Sequence, residues 1–145
     1  MPIVDRHREG IGERLEVVQS LLVDAARLPE WHSLLTLVPA QGQVRSGTQL
    51  RVRVAHLPAR LTYELVQRDA VTILISAPGL VQREAWRLEE HGHDTGVHLV
   101  VRRRGAWWKV LGGRDDEGAA STEVHHLQDW VRHLRPPLPP GHLAG

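Results

Sequence analysis

From Gln49 onward the chain swaps apolar for polar side chains at nearly every step, and this alternation restricts its fold more than any other feature. Leu50, Val52 and Val54 interleave with Gln49, Arg51 and Arg53, and Leu61, Tyr63 and Leu65 interleave with Arg60, Thr62 and Glu64. Successive side chains of a strand point to opposite faces, so each stretch predicts a strand buried on one side. The segment "AVTILIS", Ala70 to Ser76, is β-branched and nearly continuous, which predicts a central strand. Next, Leu80, Gln82, Glu84, Trp86 and Leu88 share a face, with Arg83 and Arg87 on the other. Val97, Leu99 and Val101 form a last strand that ends at "RRRG". "RSGTQ", "APG" and "HGHDTG" supply turns between these runs.

The flanking segments have a different period. Leu15, Val18, Leu22 and Ala25 recur at steps of three and four, the stripe of an amphipathic helix over Arg14 to Ala25, and Pro29 ends it. A short second helix is expected around Pro29 to Ser33, with proline in its first turn. The polar segment Ile3 to Ile11 reads as a short strand, and the apolar run Leu34 to Val38 as another, closed by Pro39. Near the end Ala120, Val124, Leu127, Val131 and Leu134 step by four, three, four and three, the seam of a long helix. "GGRDDEG" precedes it, so a start near Ser121 is expected. The reading is an α+β chain: a curved antiparallel sheet of six to seven strands wrapped around the C-terminal helix, with two short helices after the first strand. Residues 1–135 make one domain and 136–145 a proline-rich extension.

Composition narrows the function classes. Formal charge is +1, from 18 basic and 17 acidic residues, so no bulk field draws the chain to nucleic acid or anionic lipid. The absence of cysteine excludes disulfides, thiolate metal ligands and a thiol nucleophile. No leader pattern and no apolar run of about 20 residues is present, which predicts a cytoplasmic chain without integral membrane association. Trp107 and Trp108 lie beside Arg102 to Arg104, but no second basic cluster accompanies them, and nucleic acid is not an expected partner. Ten histidines raise the question of metal. His91, His93 and Asp94 share a turn, and His125, Asp129 and His133 share a helix face, but that face lies away from the apolar seam and no HExxH is present. No metal or other cofactor is expected on these motifs.

Several short motifs in order resemble the polyketide cyclase/dehydrase and START-related lipid-transfer superfamily. They are Leu22 and Asp24 at a helix end, Pro29 and Trp31 after it, Gly47 and Thr48 opening a long strand, Trp86 and Leu88 within another, and Gly92 and Thr95 at a turn. The resemblance spans about Ile11 to Leu134. It departs from the family pattern at Arg14, where a proline usually opens the first helix, and at "GGRDDEG". It implies a helix-grip fold that binds a hydrophobic small molecule such as a lipid, polyketide or quinone between sheet and C-terminal helix. A few members are cyclases or hydrolase-like enzymes, and no universal catalytic residue exists to carry over.

A cavity between the sheet and the last helix would be walled by Tyr63, Ile73, Trp86 and Leu99 and closed by Leu127 and Val131. Trp31 either lines its mouth or packs the second helix onto the sheet. Glu84 lies on the apolar face, where a carboxylate is costly unless paired or wet, or a bulge turns it outward. Facing a cavity, it would be held neutral by desolvation and, with the Tyr63 hydroxyl, would orient a ligand. Binding without catalysis is the leading expectation. A polyketide cyclase/dehydratase-like enzyme using Glu84 or Tyr63 as acid or base, and a protein-interaction module with a filled core, are the alternatives. A homodimer is left open.

Overall fold

In the computed structural model, which describes residues 3–37, 44–55, 57–106 and 119–134, the alternating segments pair as one antiparallel sheet. The strands are β1 (Ile3–Ile11), β2 (Leu35–Leu37), β3 (Gln49–Val54), β4 (Leu57–Val66), β5 (Ala70–Ala77), β6 (Leu80–His91) and β7 (Asp94–Arg104). Their order is β1-β7-β6-β5-β4-β3-β2, so the chain meanders from β2 to β7 and β1 closes the far edge against β7. β5 stands at the middle of the seven, as its β-branched composition requires. The helices are α1 (Leu15–Val23), α2 (Leu28–Trp31) and α3 (Ala119–Leu134). This is the helix-grip architecture expected from the sequence.

The inner face follows the alternation. Val71, Ile73 and Ile75 of β5, Leu80, Trp86 and Leu88 of β6, and Val97, Leu99 and Val101 of β7 are buried. Ala120, Val124, Leu127 and Val131 of α3 join the same apolar cluster. The side chain of Leu134, Trp107 and Trp108, and the proline-rich extension lie outside the described residues.

β1 has the expected bounds and pairs with β7 over its whole length, from Ile3 opposite Arg103 to Ile11 opposite Thr95. Three local expectations need correction. The first helix stops at Val23, because Asp24 leaves helical geometry at φ −85°, ψ 80°, and Ala25–Arg27 forms a separate 3-10 turn before α2. "HGHDTG" is mostly strand. β6 runs to His91 and β7 begins at Asp94, and Gly92 at φ 68° supplies the left-handed residue that so tight a hairpin needs. Leu65 does not follow Leu61 and Tyr63 inward. The pairing slips between Tyr63 and Leu65, so Leu65 lies opposite Thr72 on the outer face.

The Gly-Thr pair before β3 also has a physical reason. Gly47 adopts φ 94° and donates its N–H to the Tyr63 carbonyl at 2.7 Å, and Tyr63 donates back to Thr48 at 2.9 Å. The turn thereby fixes the register of β3 on β4. Trp86, fully enclosed on β6, is the largest buried side chain. Trp86→Ala is expected to cost about 3–5 kcal/mol through lost burial and a residual cavity. A chemical-denaturation midpoint that does not move would contradict the inward placement of that face.

Candidate functional site

Glu84 does face inward, between Ile73 and Val101 on the neighbouring strands, and no bulge rescues it. A buried carboxylate must find donors, and Glu84 has three. His32 Nε2 donates to Oε2 at 2.5 Å, Gln82 Nε2 donates to Oε2 at 2.6 Å, and Trp86 Nε1 donates to Oε1 at 3.1 Å. Gln82 accepts in turn from Arg103 Nε at 2.7 Å. His32 follows directly on α2, and its Nε2 also lies 3.7 Å from Oε2 of Glu123, which α3 brings to the same place. The backbone N–H and hydroxyl of Ser33 both donate to Glu123. His32, Glu84 and Glu123 are all buried. Three ionisable groups from α2, β6 and α3 therefore meet inside the grip.

Their charges are unequal. Burial pushes Glu84 up, but the charge and hydrogen bond of His32, with the bonds from Gln82 and Trp86, outweigh it and hold the carboxyl below its usual range. The expectation that desolvation raises Glu84 is thus overturned by a partner that the strand pattern did not reveal. Burial lowers His32, yet the charges of Glu123 and Glu84 and the Glu84 hydrogen bond raise it to about 9. The N–H of Leu34 approaches its Nδ1 at 3.2 Å, a contact that keeps the ring proton on Nε2 and that full protonation must displace. Glu123 is pushed up by burial and by the Glu84 charge, more than His32 and Ser33 pull it down. His32 thus stands between one carboxyl held down, Glu84, and one pushed up, Glu123.

The eight residues singled out from the sequence, Trp31, Tyr63, Ile73, Glu84, Trp86, Leu99, Leu127 and Val131, are all buried in the interior. The Trp31 and Trp86 rings meet edge to face at 5.8 Å. The Tyr63 hydroxyl is committed elsewhere: it donates to the Leu22 carbonyl at 3.0 Å, and burial, then Glu84 and Asp24, push its pKa far up. His32 and Glu123 were missed. Glu123 was findable, since it stands three residues after Ala120 and four before Leu127 on the apolar seam. Nothing periodic marks His32, which follows a helix of four residues.

Three cavities stand out. One of about 320 Å³ lies between α2 and α3 and is lined by Pro29, Trp31, His32, Ser33 and Trp130 among others. The indole N–H groups of Trp31 and Trp130 are buried without a partner among the described residues. A second, of about 840 Å³, is a groove on the outer face of β1, β5, β6 and β7. Arg8, His98 and Arg87 form one cross-strand row there, and burial together with Arg8, Arg6 and Arg87 lowers the His98 pKa. Sheet pairing thus assembles a basic cluster that the linear sequence conceals. Arg102 and Arg104 are exposed while Arg103 is half-buried. A third cavity, of about 640 Å³, lies at the β3–β5 edge.

No family model and no curated protein matches the sequence. Solved structures do match the fold. A START superfamily protein from Mycobacterium smegmatis superposes with a TM-score of 0.66 at 12% identity, covering 91% of this chain and 99% of that one. Truncated norcoclaurine synthase from Thalictrum flavum gives 0.66 at 11% identity, with 93% and 96% covered. The di-domain ARO/CYC StfQ from the steffimycin biosynthetic pathway gives 0.66 at 7% identity, with 92% of this chain and 52% of that chain covered. The chain has the helix-grip fold shared by these START superfamily, norcoclaurine synthase and ARO/CYC structures, as its motifs had indicated.

The raised pKa of His32 carries a pH signature. Its proton is held more tightly in the native state, so its contribution is full below the unfolded value of 6.5 and is lost as pH rises through about 9. Stability is expected to decline over that window, and His32→Gln to flatten the decline; denaturation midpoints at several pH values check this. Glu84→Gln, which removes the carboxylate that accepts the Nε2 proton of His32, should cost about 3–5 kcal/mol. Glu123→Gln, at a carboxyl already pushed toward its protonated form, should cost less. Equal losses in the two variants would contradict the charge assignment.

Proposed function

We propose that this protein binds a small amphipathic molecule, an apolar body carrying a hydrogen-bonding group, within the grip of sheet and α3. The observation that carries this is the buried His32–Glu84–Glu123 array beside the α2–α3 cleft. Apolar side chains of similar volume would tie α2, β6 and α3 together with no desolvation penalty. Groups held there at such cost support a binding role. Trp31, His32 and Trp130 line the cleft, and the two indoles lack acceptors among the described residues, so a ligand carbonyl, carboxylate or sulfonate fits its chemistry. The apolar body would lie against Trp31 and Trp86 and reach toward Tyr63, Ile73, Leu99, Leu127 and Val131. The fold neighbours support the class: one is a norcoclaurine synthase structure in complex with dopamine and hydroxybenzaldehyde, and another is an aromatase/cyclase. Among the described residues no helix is long and apolar enough to cross a membrane, and a soluble cytoplasmic carrier is part of this reading.

One observation favours a second reading, an acid–base enzyme. Glu84 is driven down and Glu123 up around one imidazole, the separation that gives two carboxylates opposite proton-transfer roles. Glu84, already saturated by three donors, would then orient His32, and His32 with Glu123 would exchange protons with substrate.

Titration with 1-anilinonaphthalene-8-sulfonate, an apolar probe with one anionic acceptor group, tests binding directly. Saturable quenching of tryptophan emission is expected, with affinity about tenfold weaker in His32→Gln through loss of a charge-assisted contact. No saturable binding up to the probe's solubility limit would overturn the proposal and favour an interaction module whose own side chains fill the core.

A further inference from the structure

The inner face of β1 is polar where that of its neighbour β7 is apolar. Asp5, His7 and Glu9 fall at alternate positions, opposite Val101, Leu99 and Val97 of β7, and α3 packs over them. Asp5 is accounted for, because its Oδ2 accepts the N–H of Ala120 in the first turn of α3 at 2.8 Å. His7 and Glu9 are not. His7 Nε2 and Glu9 Oε2 are buried atoms without a hydrogen-bond partner among the described residues. Across from them α3 presents His125, whose Nε2 lies 3.2 Å from Glu9 Oε1, while His7 Nε2 lies 3.7 Å from the same oxygen. The His7 and His125 rings meet edge to face at 5.3 Å.

We propose that His7, Glu9 and His125 form a binding site for a divalent transition metal of the zinc type, clamping β1 to α3. Each residue offers one ligand atom, and all three atoms lie within 4.8 Å of one another, the one such group of three among the described residues. Zinc takes imidazole nitrogen and carboxylate oxygen at about 2.0–2.2 Å, which sets tetrahedral ligand atoms about 3.3 Å apart. The two measured separations bracket that spacing, so small rotations of these side chains complete it. Two imidazoles and a carboxylate are borderline ligands, suited to zinc, cobalt or nickel rather than to calcium or magnesium. Side-chain exposures of 24% for His7, 29% for Glu9 and 52% for His125 leave the metal an entry path and a fourth position open to solvent. The histidine sets visible in the sequence do not assemble in this way. His91 pairs with Glu89, Asp129 with Arg132, and His133 stacks on Trp130. The new site joins residues 116 positions apart, so no linear motif could mark it.

Cobalt(II) added to the metal-free, untagged protein reads the site by its visible absorption. One equivalent is expected to bind with the intense bands of a four-coordinate complex, and zinc is expected to displace it and raise the melting temperature. His7→Ala, Glu9→Gln and His125→Ala should each weaken binding by more than about tenfold, since even outer-shell changes cost 10–100-fold. His91→Ala with His93→Ala should leave it intact. Absence of saturable cobalt binding, or binding that survives the three ligand substitutions together, would overturn the proposal. Should a ligand variant fail to fold, paramagnetic broadening in the wild type decides. Broadening centred on β1 and α3 supports the site, and broadening centred on the His91–Asp94 hairpin overturns it.

Discussion

The Glu84 carboxylate is the constraint around which the interior is arranged. Strand alternation places it on the inner face of β6 between Ile73 and Val101, out of reach of water. Because an unsatisfied carboxylate would cost several kcal/mol there, the surrounding elements are recruited to supply donors. Gln82 and Trp86 come from the same strand at two residues either side, where pleating puts them on the same face. His32 caps the end of α2, and its bond to Glu84 ties that four-residue helix to the sheet. His32 then draws Glu123 of α3 into the cluster. The three layers of the grip are joined through one anion.

The same electrostatics separates two regions of the interior. Around Glu84 the groups share one imidazole, with the Glu84 carboxyl pulled down and the Glu123 carboxyl pushed up beside it. Beyond it, Tyr63 is sealed by its bond to Leu22 and by burial, and Leu99, Leu127 and Val131 supply only apolar contact. The polar region adjoins the α2–α3 cleft, where Trp31 and Trp130 retain unpaired indole donors among the described residues. An amphipathic guest matches this polarity: its hydrogen-bonding group belongs at the cleft and its apolar body further in.

Much of the fold was legible in the sequence because its signals are local. Period-two runs located β3 to β7 and their buried faces, and the three-four spacing of Ala120 to Val131 located the inner side of α3. The errors arise where a tertiary contact overrides a local pattern. The pairing slip after Tyr63 turns Leu65 outward, which alternation alone cannot show. β1, whose bounds were read correctly, is polar because Asp5 and Glu9 on its inner face meet the first turn of α3 and His125. The site was half legible. Glu84 was marked by being a carboxylate on an apolar face, and Glu123 bore the same mark on α3. His32 carried no periodic signal, so the sign of the Glu84 shift was misjudged for want of its partner.

The central claim is that the buried polar array and its cleft receive a ligand. The indole N–H resonances of the five tryptophans report on this directly in a proton–nitrogen NMR titration with anilinonaphthalene sulfonate. The account predicts that the Trp31 and Trp130 signals move most, as their unpaired donors gain an acceptor. The Trp86 signal, already bonded to Glu84, should move less. Saturable shifts confined to the outer-face groove at Arg87 and His98, with Trp31 and Trp130 unmoved, would contradict it.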